Sequence, residues 1–335
     1  METFEQIDTL IKQAISNDRR SIARLITLIE QDAKMASYIV KQIHPYTGKA
    51  YIIGITGAPG SGKSTLTNAM VEKYLAQGKK IGIIMVDPSS PFSGGALLGD
   101  RIRLKMNFNH KNLFIRSMAN RGNLGGLALA TKDVIKILDA SGFDIIIIET
   151  VGVGQSEVDI FRAANTTIVI VVPSLGDEIQ AIKAGIMEIT DIFVVNKKDL
   201  PDADKKVSEL EAMLDMGESI KINNESHSVE FLRNGGWRPP IIQTSAKSGE
   251  NVEQLIDSIE NHKKYLIENK ILEQRLTIRY RNEVMTIIRN EIMKKLQDYL
   301  TGSNAAQIIN NIIERTKDPY TVAEEILKSK LKIDM

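Results

Sequence analysis

The chain of 335 residues contains no cysteine, which excludes a disulfide framework, a thiolate metal site and a cysteine nucleophile. An excess of either charge is missing too. Its 43 Lys and Arg stand against 42 Asp and Glu, a net +1, so no global field draws nucleic acid or an acidic surface. Long apolar runs are also lacking. The stretches Ile145–Ile148 and Ile168–Val172 have strand length, against the roughly 20 residues that cross a bilayer. The first twenty residues carry acids and no apolar core of signal-peptide length. A soluble, cytoplasmic protein with no membrane or nucleic-acid partner is expected. The four histidines (His44, His110, His227, His262) have no metal-ligand spacing and are assigned to surface or core. No Asp-x-His-x-x-Gly stretch is present to hold a corrin, and there is no internal repeat.

What remains is an ordinary globular composition, 43% hydrophobic and 25% charged, on a chain long enough to bury a full core. Three parts are expected: a helical segment at 1–45, an alternating domain at 46–265 and a helical arm at 266–335. In the first, Ile7, Leu10, Ile11 and Ala14, then Ile22, Leu25, Ile26 and Ile29, have helical spacing, with a break at Asn17-Asp18 between two helices. In the second, β-rich runs (51–56, 80–86, 113–118, 143–149, 167–172, 192–196, 241–245) alternate with helical stretches (64–76, 124–138, 178–187, 203–214, 252–265). Runs that are apolar on both faces predict an α/β fold, a mainly parallel sheet covered by helices on both faces. The third part carries a stripe of Leu276, Tyr280, Val284, Ile288, Ile292 and Leu296 on an otherwise charged helix.

The sharpest motif is Gly57-Ala58-Pro59-Gly60-Ser61-Gly62-Lys63-Ser64-Thr65, a P-loop pattern between an expected strand and an expected helix. Glycines let the backbone curl its N–H groups toward phosphates, and the helix start adds partial positive charge. Lys63 supplies a full charge, and the Ser64 hydroxyl can ligate Mg²⁺. The base is read from Asn196-Lys197-Lys198-Asp199. A carboxylate at 199 accepts both N1–H and the 2-amino group of guanine, a pair that adenine lacks, while Asn196 and Lys197 brace the pocket. Thr244-Ser245-Ala246-Lys247 follows the next strand and resembles the second guanine-contacting loop of GTPases, which brings Ser245, Ala246 and Lys247 to the base. In this order the three motifs predict GTP and GDP rather than ATP. Glu149, at the end of 143–149, is placed to hold Mg²⁺ or its water, with Gly152 after it to sense the γ-phosphate. Asp87 and Asp100 carry carboxylates able to reach the metal from the other side. The alternative for Asp87 is a turn cap before Pro88, and for Asp100 a helix N-cap, with the Mg²⁺ reading favoured for both.

With these blocks goes a longer set: VDPSSPFSGGALLGDR (86–101), ETVGVGQSE (149–157), GDEIQAIKAG (176–185) and GGWRPP (235–240). Together they resemble the MeaB/ArgK family of GTPases, chaperones of adenosylcobalamin-dependent acyl-CoA mutases such as methylmalonyl-CoA mutase, over essentially the whole chain. The resemblance implies a SIMIBI-class G domain, a homodimer held partly by C-terminal helices, and a third switch at 176–185 that reads the partner. It implies phosphate binding by 57–65, guanine binding by Asp199 and Ser245–Lys247, and Mg²⁺ with its water at Ser64, Asp87, Asp100 and Glu149. Ala184 stands where related chains carry lysine or arginine, which leaves Lys183 as the candidate cation for γ-phosphate charge. The water-orienting glutamine of small GTPases, directly after the switch glycine, is missing, and Gln155 is not its equivalent. Lys63, Asp100, Glu149 and Lys183 are therefore the expected catalytic set of a slow hydrolase that a partner stimulates. Arg101, Arg116 and Arg121 lie near the switch regions and could add positive charge, but solvated or salt-bridged roles are favoured for each. Two other classes fit the sequence less well. A nickel-insertion metallochaperone GTPase would need a histidine- or cysteine-rich segment. A transport-linked kinase or ATPase conflicts with the guanine motifs.

Overall fold

Seven apolar runs pair side by side, all parallel, in the order β3-β2-β4-β1-β5-β6-β7. They are β1 Tyr51–Gly57, β2 Ile81–Pro88, β3 Leu113–Asn120, β4 Ile145–Thr150, β5 Thr166–Val171, β6 Ile192–Asn196 and β7 Ile241–Thr244. The structure is a computed structural model and describes residues 2–88, 110–120, 126–150, 163–173, 190–223, 236–301 and 305–328. All seven strands expected from the sequence are present, within one or two residues at most ends. The reason is physical: with helices on both faces, neither face of these strands meets water, so the runs need no polar alternation.

Alternate residues face opposite layers. Ile52, Ile84, Val86, Ile146 and Ile148 join one apolar cluster with the N-terminal helices and with α5 (Gly126–Ala140). Ile53, Ile55, Ile83, Met85 and Ile147 join a second cluster with α4 (Lys63–Ala76) and α7 (Val252–Glu268). Near β5 and β6, Leu210 of α6 (Ala203–Asn223) packs with Val169, Val171, Phe193 and Val195. Full burial of one such side chain is worth about 1.5–3 kcal/mol.

The N-terminal segment holds three helices, where the periodicity predicts two. Helix α1 (Phe4–Ile15) opens on a Thr3/Gln6 capping box. The Asp18 carboxylate accepts Ser21 N–H at 2.8 Å to start α2 (Arg19–Gln31), at the expected break. The additional break is Asp32, whose extended backbone (φ −141°) ends α2, while its side chain accepts Lys34 N–H at 2.7 Å to begin α3 (Ala33–Ile43). Spacing alone misses it because the apolar period runs on across the cap. The chain leaving α3 is then held by one buried carboxylate. Asp139 of α5 accepts the amides of Gly48, Lys49 and Ala50 at 2.5, 3.0 and 2.8 Å.

The chain divides into two compact units, Met1–Arg279 and Tyr280–Met335. Helix α8 (Ile271–Thr301) begins in the first and continues into the second. The second unit also holds α9 (Ala305–Ile313) and α10 (Pro319–Ile326). The Asp318 carboxylate caps α10, and Lys317 pairs with Glu325 at 2.6 Å. No helix among the described residues is long and apolar enough to cross a membrane.

Candidate nucleotide site

In a parallel sheet the ligand crevice lies at the carboxyl ends of the strands. Among the described residues, those expected in the site gather at that edge. The P-loop leaves β1 directly. Gly57, Gly60 and Gly62 have φ of 145°, 84° and 92°, in the region that L side chains rarely adopt. At two of them space is also lacking: a Cβ would sit 2.2 Å from Ile170 O at Gly57 and 2.3 Å from Asn196 Nδ2 at Gly62. Helix α4 starts at Lys63, so its first amides face the loop. The Lys63 ammonium donates to Gly57 O at 2.7 Å and to Ala58 O at 3.0 Å. Ala58 is half-buried and Ser61 buried, whereas Pro59, Gly60 and Thr65 are exposed along the rim.

At the second residue of α4, the Ser64 hydroxyl donates to Glu149 Oε1. Glu149 is the next-to-last residue of β4, in register with Ile55 of β1, and only 5% exposed. The pair offers a hydroxyl and a carboxylate, hard oxygen donors of the type Mg²⁺ takes when phosphates and water complete its shell. The residues present therefore fit a magnesium ion held mainly by its nucleotide. Asp87 lies in β2 opposite Ala119, and its side chain is outside the described residues. Asp100 and Lys183, the rest of the switch blocks at 89–101, 151–157 and 176–185, and the expected helix at 178–187 also lie outside them, as do Arg101 and Arg121.

Asn196 joins the 57–65 loop to the 244–247 loop. Its amide Nδ2 donates to Ser61 O at 2.8 Å, and its Oδ1 accepts Ala246 N–H at 3.1 Å and the Thr244 hydroxyl at 3.3 Å. At 2% exposure every one of these polar atoms gains from being paired. Lys197 has φ 60° and Leu200 N–H returns to Lys197 O at 2.9 Å, so 197–200 forms a tight turn with an exposed Asp199 at its corner. Ser245 and Ala246 are buried, and Lys247 is exposed beside them. The sequence motifs name Asn196 as a brace; the structure makes it the joint between three loops.

Arg116 does not face this site. Its guanidinium pairs with Glu30 and donates to Thr27 Oγ1 at 3.4 Å, fixing β3 to α2.

The opposite edge of the sheet carries a second polar cluster that motif reading misses. Asp191, 2% exposed, accepts Thr167 N–H at 2.8 Å and pairs with Arg275 NH2 at 2.9 Å. Its carbonyl accepts the Trp237 indole N–H at 2.8 Å, which gives the tryptophan of GGWRPP a structural role. Arg275 and Arg279 of α8 donate to Asn165 O at 2.8 Å and Ala164 O at 3.1 Å. His262 is fully buried under Trp237, with Nδ1 2.8 Å from Thr166 Oγ1 and Nε2 3.4 Å from Asp191 Oδ1. The sequence offered core or surface for this histidine; it is core.

Burial pushes His262 down to about 4, against a smaller opposing pull from Asp191 and together with repulsion from Arg275. An unfolded chain takes up this proton near pH 6.5, and the folded chain refuses it until about pH 4. Stability from this group is therefore complete above pH 6.5 and falls on acidification toward pH 4, by roughly 3 kcal/mol at about 1.4 kcal/mol per unit. Denaturant melts at pH 7, 6 and 5 should give a steeper decline for the parent than for His262→Gln. Parallel declines would remove His262 as the cause.

A loop of this curl on a parallel sheet, joined through asparagine to Asn-Lys-x-Asp and Ser-Ala-Lys loops, defines the P-loop GTPases. The sequence profile described as "Methylmalonyl Co-A mutase-associated GTPase MeaB" matches residues 22–300. The chain belongs to the MeaB family. A Pyrococcus horikoshii protein described as "Putative GTPase" is 47% identical over 97% of this chain and 98% of its own length. GTPase ArgK of Escherichia coli is 31% identical over 79% of this chain and 78% of its own. The mouse protein "Methylmalonic aciduria type A homolog, mitochondrial" is 28% identical over 96% and 79%. A solved structure titled "LAO/AO transport system kinase" shares the fold, with a TM-score of 0.65 at 23% identity over 99% of this chain and 100% of that one.

Proposed function

We propose that this chain is a GTP-hydrolysing switch that assists cofactor loading and protection of an adenosylcobalamin-dependent acyl-CoA mutase of the methylmalonyl-CoA type. The guanine-nucleotide part rests on one observation: the Asn196 amide ties the phosphate loop, at Ser61 O, to the base loop, at Ala246 N. The client is supported by the family description, which names the mutase. Lys63 would meet the β- and γ-phosphates, Asp199 and Ser245–Lys247 the guanine, and Ser64 and Glu149 the magnesium ion, with Asp87 and Asp100 beside them. A bound magnesium would neutralise phosphate charge during transfer. No cation beyond Lys63 is supplied to the transition state by the described residues, so slow turnover that a client accelerates fits the site, with Lys183 the candidate to assist. Comparing GDP with ADP in titration calorimetry tests the base, and a GTP-dependent pull-down of a methylmalonyl-CoA mutase tests the client. Equal affinities, or no capture in any nucleotide state, would sink the respective half.

Asp199→Asn is expected to weaken GDP binding at least tenfold and to favour xanthosine diphosphate. The amide offers a donor where the carboxylate only accepted, and a site built to pair a group rejects its mismatch strongly. Unchanged GDP affinity would take Asp199 out of the base pocket.

The helical arm from 266 onward is proposed to form a homodimer, in the same reducing cytoplasm. Along α8, Tyr280, Val284, Met285, Ile287, Ile288 and Met293 are each at least 42% exposed, which is costly in water unless a second copy covers them. A chain cut after Arg279 keeps the Asp191 contacts and every nucleotide motif. It should be monomeric by light scattering and still bind GDP; a monomeric full-length chain at micromolar concentration would end the dimer reading.

A further inference from the structure

Asp199 can read guanine only if its carboxylate is available as an acceptor, yet the residue directly before it is a lysine. Lys198 and Asp199 are the two central residues of the turn that Leu200 N–H closes onto Lys197 O. From there an unoccupied lysine ammonium would reach the neighbouring carboxylate and compete with the base for it, since the ammonium adds a full positive charge that a neutral N–H donor lacks. In the structure that ammonium is engaged elsewhere. Lys198 Nζ is bonded to Glu250 Oε1, the two side chains being 29% and 51% exposed, and among the described residues Asp199 is in no ion pair.

Glu250 is itself held in place by the base loop. Ser245 and Glu250 form an antiparallel bridge, with Ser245 N–H donating to Glu250 O at 3.2 Å. Inside it, Gly249 N–H returns to Ser245 O at 2.9 Å with φ 78°. The next residue, Asn251, in the left-handed region at φ 60°, donates its side-chain amide to Gln243 O at 2.8 Å. On the other side, Lys198 N–H donates to Thr244 O at 3.0 Å, so lysine and glutamate face each other across two loops already in register.

We infer that Glu250 is a specificity-determining positioning residue of the guanine pocket: by holding the Lys198 ammonium it keeps the Asp199 carboxylate free for the base. The inference rests on the guanine reading above and adds a residue to it. An ion pair this exposed has little to give to fold stability. Its effect lies in what it keeps away from Asp199, the repulsive half of a specificity device.

The test compares GDP with inosine diphosphate, which lacks the 2-amino group that Asp199 accepts. Glu250→Gln should lower GDP affinity about three- to tenfold and shrink the GDP-to-IDP affinity ratio by at least threefold, while the apo thermal transition stays within about 2 °C. Adding Lys198→Met to it should restore the ratio, because the competitor is then gone. A loop that is merely loosened would lower both affinities alike, and the second substitution would not repair it. Glu250→Ala is read in the same way should Glu250→Gln fail to fold, the Ser245–Glu250 bridge being made by backbone. An unchanged ratio in Glu250→Gln, or no recovery in the double variant, overturns the assignment of Glu250. A parent that binds ADP as tightly as GDP overturns the guanine reading beneath it.

Discussion

Lys63→Ala is expected to weaken GTP binding on the order of a hundredfold, the loss of charge-assisted bonds worth about 3 kcal/mol. The ammonium sits at the mouth of the phosphate loop, bonded to Gly57 O and Ala58 O, where phosphate oxygens would be stronger partners than carbonyls. The fold should survive. Lys63 is only 8% exposed, but Gly57 and Ala58 are half-buried beside the exposed Pro59 and Gly60, so water can replace the ammonium at this rim. Differential scanning fluorimetry separates the outcomes. The variant should melt within a few degrees of the parent without nucleotide, and GTP should no longer raise its transition as it does the parent's. A large drop in the apo transition would make Lys63 a structural residue. An unaltered response to GTP would remove it from the phosphate site.

The second large effect is expected at the other end of the sheet. Asp191→Ala removes the acceptor for Arg275 and Thr167 N–H at once and leaves a guanidinium only 9% exposed without its carboxylate. Breaking a buried pair from one side costs about 3–5 kcal/mol, because the remaining charge stays desolvated. For a chain of this length that is a fall on the order of 10 °C in the thermal transition. Asp191→Leu combined with Arg275→Met removes both charges and should recover much of the loss. GDP should still stabilise the single variant, since the nucleotide edge is untouched. A transition within 2 °C of the parent would mean that the pair is of no consequence.

Most of the framework could be read from the chain because its information is local. Ile145–Ile148 and Ile168–Val172 are apolar on both faces, and only a strand covered on two sides needs that. Gly57, Gly60 and Gly62 are glycines because the loop demands positive φ, a requirement written at single positions. What stayed hidden is non-local. Asn196 meets Ser61 across 135 residues and Asp191 meets Arg275 across 84, and no spacing rule announces either. Asp139 looks like any surface acid of an amphipathic helix, yet its carboxylate receives three amides from a segment about ninety residues earlier. Asp32 was hidden differently. It is a cap between helices whose apolar faces continue in phase, so the period carries no mark of it.

The N-terminal helices have a consequence for synthesis. Their apolar faces bury against Phe114, Val134, Leu138, Phe143, Ile146 and Ile148, none of which has been made when Ile43 leaves the ribosome. Translation at about 5–20 residues per second leaves roughly 5–20 s before the last of that surface is synthesised. During that interval Ile7, Ile22, Leu25, Ile26 and Ile39, all fully buried in the finished protein, lack much of the surface that finally covers them. Asp139 becomes available in the same late stretch, so the amides of Gly48 to Ala50 are fastened only as the layer closes. These helices are thus made well before their final contacts exist, and a nascent chain halted before Ile145 should present them to chaperones and proteases.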